Sequence, residues 1–139
     1  MASRRARRPA FDHRSQAREH ALSLLYEAET KGVDGRVVLD GLIVPPDELT
    51  RLLVEGVTDH LDDIDRIIAD HAAGWTLDRM PALDRGILRL GVFELLYRRD
   101  TPVAVVLDEA VELAKTFSTD DSSRYVNGVL AAVARRRAT

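Results

Sequence analysis

Residues 45–70 read PPDELTRLLVEGVTDHLDDIDRIIAD, and this stretch decides the fold. Beyond the Pro45-Pro46 break, apolar residues return at Leu49, Leu52, Leu53, Val57, Leu61, Ile64, Ile67 and Ile68. Steps of three and four are the period of an α-helix with one buried face, and the run lacks the period of two that a half-buried strand requires. Pro46 suits the first turn of such a helix. The spacing predicts either one long helix or two that meet near Asp62-Asp63. A break there is favoured, with Asp62 capping the second segment and Gly74 ending it.

The same period extends in both directions. Upstream, a helix from about Asp12–Ser15 to Thr30 carries Ala17, Ala21, Leu24, Leu25 and Ala28, and Lys31-Gly32 closes it with a cation and a C-cap glycine. Arg14 and Arg18 are an i, i+4 pair, predicted to share one face away from Leu24 and Leu25. A short helix covers Gly35 to Leu42. Downstream, Thr76 and Pro81 open a helix through Leu83, Ile87, Leu88, Leu90, Leu95 and Leu96. Thr101-Pro102 stops it and starts another, through Val103, Val106, Ala110, Val111, Leu113, Ala114 and Phe117. Residues 118–122 are a dense set of capping side chains before a last helix with Tyr125, Val126, Val129, Leu130 and Val133. There are no internal repeats. The expected architecture is all-α, a compact bundle of about six or seven helices with short connections.

Composition agrees with that class. At 139 residues and 45% hydrophobic, the chain can form one domain with a substantial core. Aromatics are only 5%, so the core must be mostly Leu, Val, Ile and Ala. The absence of cysteine excludes disulfides, thiol nucleophiles and cysteine-ligated zinc. No apolar run approaches a membrane span and the start has no secretory signal, so a cytoplasmic location is expected. Charge is distributed unevenly. Residues 1–20 hold six arginines against two acids, a net of +4, whereas the chain as a whole is −3. Clustered arginines make an electrostatic footprint for phosphate oxygens, and an acidic body repels nucleic acid elsewhere. Residues 1–12 are read as a flexible Arg-rich arm and residues 13–139 as a single all-helical domain; a solvated tail is the competing reading of the arm.

Enzymatic signatures are missing. His13, His20, His60 and His71 share no metal-ligand spacing. Asp62, Asp63, Asp65 and Asp70 lack the glycine and twelfth-position Glu of a calcium loop, and read as capping plus a solvated face. Neither a phosphate-binding loop nor a dinucleotide fingerprint occurs, so neither an enzyme nor a cofactor is expected.

Two stretches ask for more than a structural account. Residues 75–85, WTLDRMPALDR, place Asp84 and Arg85 in the first turn of a helix, after the only tryptophan. Residues 119–130, TDDSSRYVNGVL, put Asn127-Gly128 inside a helix, where glycine costs about 1 kcal/mol against alanine. Such a glycine implies close helix packing or a surface kept flat, and packing is the favoured reading. Tyr125 beside Arg124 offers an aromatic face with a guanidinium, a pair suited to clamping an unpaired base.

These residues carry a resemblance to the NusB family of bacterial transcription antitermination factors. Ala17-Arg18-Glu19 with Ala21 and Leu25-Tyr26 is similar to the family's opening arginine helix. Pro81, Asp84-Arg85, Ile87-Leu88-Arg89 and Glu94-Leu95 resemble its central helix. Pro102, residues 108–115 (DEAVELAK), Asp121-Ser122 and residues 125–130 (YVNGVL) resemble its end. Trp75 with Leu77-Asp78-Arg79 is similar to actinobacterial members. The resemblance departs at Ser15 and Gln16, where the family often has arginines.

The resemblance implies a fold of two packed helical subdomains. It implies binding of boxA, a short single-stranded RNA of ribosomal RNA leaders, together with the small-subunit ribosomal protein NusE. It also implies assembly on RNA polymerase with other Nus factors. Carried over by position, RNA would be bound by Arg14, Arg18, Tyr26, Phe117, Asp121, Arg124 and Tyr125, with Asn127 reading base edges. Asp84 and Arg85 would lie near the junction with the protein partner. A homodimer that covers the arginine face is an alternative. A domain like those preceding the catalytic part of certain ribosomal RNA methyltransferases is another, and no such activity is expected of a chain ending at Thr139. A helix-turn-helix DNA reader is disfavoured, because the basic residues are not on a recognition helix.

Overall fold

The computed structural model describes residues 9–137. Seven α-helices and one 3-10 turn make up the described chain: α1 (Pro9–Lys31), α2 (Gly35–Asp40), α3 (Glu48–Asp59), α4 (Leu61–His71), the turn Leu77–Arg79, α5 (Ala82–Tyr97), α6 (Val103–Phe117) and α7 (Asp120–Arg137). There is no strand among the described residues. The expected bundle of six or seven helices is what forms. Helix α1 begins at Pro9, inside the stretch expected to be an arm; residues 1–8 of that stretch lie outside the described residues.

Helix ends follow local chemistry, with three differences from the sequence expectation. Asp47, not Pro46, starts α3: its carboxylate accepts from the Leu49 backbone N–H at 2.9 Å, and Pro46 stands one residue outside. The α3–α4 break falls at His60, not at Asp62, which lies in the first turn of α4. The His60 ring stacks on Tyr97 of α5, centroids 4.0 Å apart, and the chain leaves helical geometry there with φ −112° and ψ 19°. Helix α2 stops at Asp40, short of Leu42. Gly32 closes α1 at φ 66° and Thr119 caps α7, its hydroxyl accepting from the Ser122 N–H at 3.0 Å.

Helix α5 organises the molecule. Ten of its sixteen residues are buried, so it is enclosed round most of its circumference. Helices α1, α2 and α3 pack on one another; α5, α6 and α7 form a second group; α1, α3 and α4 join the first group to α5. The two helical subdomains therefore share one core. Its largest fully buried side chains are Leu53, Ile64, Ile68, Ile87, Leu88, Leu95 and Leu130, with Phe93 the one buried aromatic among the described residues.

Directions follow from contacts. Helix α1 runs antiparallel to α5, since Arg18 meets Glu94 while Glu29 meets Arg85. Helix α7 runs parallel to α5: Ser122 meets Asp84 at the start of both, and Arg137 meets Arg99 at the end. The bundle thus has two ends, one at Asp84 and one at Arg98-Arg99.

Candidate nucleic-acid interface

At the Asp84 end, a chain of hydroxyls ties three elements together. Ser122 Oγ donates to Asp84 Oδ2 at 2.7 Å, and Ser118 and Thr119 hydroxyls lie 3.0 and 3.1 Å from Ser122 Oγ. Asp84 is wholly buried. Its Oδ1 and the Tyr125 hydroxyl are both enclosed without a hydrogen-bond partner. Burial, with the Asp84 charge added, pushes the Tyr125 phenol above its ordinary range. The Tyr125 ring meets Trp75 edge-on, centroids 5.1 Å apart, and is half-buried. Around this anchor the surface carries exposed side chains: Phe117 at the end of α6, then Asp121, Arg124 and Asn127 along α7. Asp121 and Arg124 form an ion pair in which both side chains stay largely exposed. Tyr26, 46% exposed, stands on the α1 half that packs against the start of α5.

Arg85 is held by four contacts. Its Nε and Nη2 donate to Glu29 of α1, and its Nη1 donates to the Leu77 and Met80 carbonyls at 2.7 and 2.8 Å. Arg89 continues the network from Glu29 to Asp65 of α4, with bonds of 2.8 and 2.9 Å to that carboxylate. Accepting from Arg85 holds the Glu29 carboxyl below its ordinary range against a smaller opposing effect of burial.

Toward the other end, Arg14 and Arg18 part company. Arg14 is exposed and has no ion pair among the described residues. Arg18 is buried, and this corrects the expectation that the two share an open face. Its Nε and Nη2 bind Glu94 at 2.7 and 2.8 Å, and its Nη1 binds Glu109 of α6 at 3.2 Å. Ser15 donates to the other Glu109 oxygen at 2.9 Å. Burial would lower the Arg18 pKa, but the bonds to Glu94 and the charges of both carboxylates outweigh it and raise it. Burial is also the main cause that pushes the Glu109 carboxyl up, against Ser15 and Arg18. The signal for this cluster was two acids, Glu94 and Glu109, on otherwise apolar helix faces.

Three of the four histidines and three of the four acids have structural partners, His13 lying 3.2 Å from Asp47 and His60 stacking on Tyr97. His71 Nδ1 lies 2.8 Å from the Ile67 carbonyl, and Asp63, Asp65 and Asp70 pair with Arg66, Arg89 and Arg136. No group of three or more metal-ligating side chains occurs among the described residues.

The chain is similar to known proteins over nearly its whole length. The NusB family profile matches residues 15–135. The chain belongs to the NusB family. Transcription antitermination protein NusB of Saccharopolyspora erythraea is 53% identical over 127 residues, which cover 87% of this chain and 86% of that protein. A solved NusB structure from T. maritima superposes with a TM-score of 0.80 at 30% identity, covering 88% of this chain and 90% of that one. Another solved structure holds antitermination factors NusB and NusE with double-stranded RNA; it matches with a TM-score of 0.77 at 27% identity, covering 90% and 98%. The name NusB denotes transcription antitermination, which is not a catalytic activity.

Set on this NusB fold, the sequence-derived residues sort by exposure. Arg14, Tyr26, Phe117, Asp121, Arg124 and Asn127 are on the surface. Tyr125 presents only part of its ring. Arg18 and Asp84 are interior, bonded to Glu94 and Glu109 and to Ser122 respectively. Arg85 is mostly covered and committed to Glu29 and the 3-10 turn. Helix packing is corrected as the reason for Gly128: a Cβ there would meet nothing within 4 Å, so the open, flat-surface reading remains.

Proposed function

We propose that this chain binds boxA-type single-stranded RNA of ribosomal RNA leaders together with the ribosomal protein NusE. It thereby joins the antitermination complex on RNA polymerase, in the cytoplasm. The observation that carries this reading is a set of exposed cationic and aromatic side chains. Arg14 has no ion pair among the described residues of an acidic chain, and Tyr26 and Phe117 offer exposed rings. Arginines hold phosphates and rings stack unpaired bases. The two groups lie about 20 Å apart along α5, at about 1.5 Å per helical residue. Stacked nucleotides rise about 3.4 Å each, so about six would bridge them. The buried Asp84 acts by holding the α6–α7 corner in place. The acidic body suits a basic ribosomal protein as second ligand, and the complex of relatives with NusE and RNA supports the pairing.

The test is binding of a boxA-like RNA and its scrambled control across a salt series, with and without NusE. Each single-strand phosphate contact contributes about −0.7 to the log–log salt slope. Arg14→Ala should flatten that slope by about one contact. Equal affinity for boxA-like and scrambled RNA in the presence of NusE would overturn the reading.

A further inference from the structure

The end of the molecule opposite Asp84 gathers positive charge that the linear sequence does not show as one patch. Helices α5 and α7 run parallel and finish together, so the Arg98-Arg99 and Arg135-Arg136-Arg137 runs come to the same end, where Arg99 meets Arg137. Arg99 Nη2 donates to the Arg137 carbonyl at 3.0 Å and Arg137 Nη2 donates back to the Arg99 carbonyl at 2.8 Å. This reciprocal clasp draws two guanidinium groups to one place with no carboxylate between them. Arg98 Nε and Arg137 Nη1 are enclosed without a hydrogen-bond partner. Arg135 is exposed and forms no ion pair among the described residues. The nearby acids are Asp100, in the connection to α6, Asp70, 3.7 Å from Arg136, and Glu48, Glu55 and Asp59 across the cleft that Tyr97 and Arg98 line, where Glu55 and Asp59 are engaged by Arg36 and Arg51. Five cations converge there on a chain whose net charge is −3. Tyr97 adds a 40% exposed ring beside Arg98, with His60 stacked against it. Arg14 belongs to this end as well: it precedes Arg18 by one turn, and Arg98 follows Glu94, the partner of Arg18, by one turn.

We infer that this arginine pole is a second phosphate track, which takes up single-stranded RNA running on from the surface around Arg14. Arg98, Arg99 and Arg135 hold backbone phosphates, and Tyr97 stacks an unpaired base. The inference rests on the RNA reading above and extends it to nucleotides flanking the recognised element. Contacts to phosphate are indifferent to sequence, so the pole adds affinity and salt dependence without adding specificity. Single-stranded RNA is favoured over duplex because an exposed ring next to arginines serves unstacked bases. The competing account is that cations at helix C-termini only offset the helix dipoles.

The experiment compares the full chain on a boxA-like RNA with and without a flank of about six uridines, placed 5′ or 3′ in turn, over about 50–200 mM salt. The flank should steepen the wild-type salt slope by about 0.7 for each phosphate engaged. Arg135→Ala should remove about one contact from that increment, about 2.6-fold in the affinity change over this salt range, and leave the unflanked RNA unaffected. Arg135→Glu should remove more. Neither variant breaks an intramolecular bond, so folding is preserved and is checked by thermal unfolding. Tyr97→Ala should cost the flanked RNA about fivefold or more, and Tyr97→Phe little. A flank increment unchanged in Arg135→Glu overturns the inference and leaves the arginines as counter-charges to the helix ends. If wild type binds boxA-like and scrambled RNA alike, the boxA reading fails by itself, and the pole is still decided by the flank increment on scrambled RNA.

Discussion

Replacing Arg18 by alanine would strand two buried carboxylates, Glu94 and Glu109, that now share one guanidinium. Breaking a buried pair in this way costs about 3–5 kcal/mol, so Arg18→Ala should fall well below wild type in urea unfolding, and any loss of RNA binding would follow from lost structure. Arg14→Ala should leave stability within about 0.5 kcal/mol of wild type, as an exposed substitution does. The sequence cannot separate these two arginines, because a helical wheel places both on one polar face. What separates them is a pair of acids 76 and 91 residues away, brought over Arg18 by the antiparallel run of α1 against α5 and by α6, which returns alongside. Glu109 also sets a pH dependence. Its carboxyl is raised by burial, so the folded protein keeps that proton to higher pH than the unfolded chain. Its stabilising contribution is fully present below the ordinary carboxylate range and is lost as pH rises through the raised value. Glu109→Gln fixes the neutral form. Its stability relative to wild type should therefore improve as pH rises above the ordinary glutamate value of about 4.3. A difference that is flat or of opposite sign would contradict this assignment.

Helices were the most legible level. Apolar spacing, the capping set at 118–122, Gly32 and the prolines located each α-helix to within a few residues, because these features act within one or two turns. The α3–α4 break was placed two residues late, since its cause is a ring on another helix, Tyr97 against His60. Glycines inside helices were legible as anomalies but not as to cause. Gly56 faces α5 so closely that a Cβ would collide with the Phe93 ring, whereas Gly128 opens onto empty space. Gly56→Ala should thus destabilise by about 1–3 kcal/mol, as overpacking does. Gly128→Ala should stabilise α7 by up to about 1 kcal/mol. If Gly128 keeps a surface flat for a ligand, the same alanine will weaken RNA or NusE binding while raising the melting temperature. Thermal unfolding and binding on the two variants separate these outcomes.

Only the assembled molecule shows that basic residues from distant parts of the chain converge. From the sequence, positive charge belonged to the first twenty residues, and Arg98-Arg99 and Arg135-Arg136-Arg137 were unrelated runs. Parallel packing of α5 and α7 makes them neighbours, and antiparallel packing of α1 brings Arg14 to the same end. Half of the candidate site was therefore readable from local motifs and half required topology. The layout also bears on how the protein is handled. Pro9 and Arg137, the outer ends of α1 and α7, lie at the arginine pole. An affinity tag fused at either terminus would hang over the surface proposed to bind RNA, and a polyhistidine or acidic tag there should depress the measured affinity until it is cleaved.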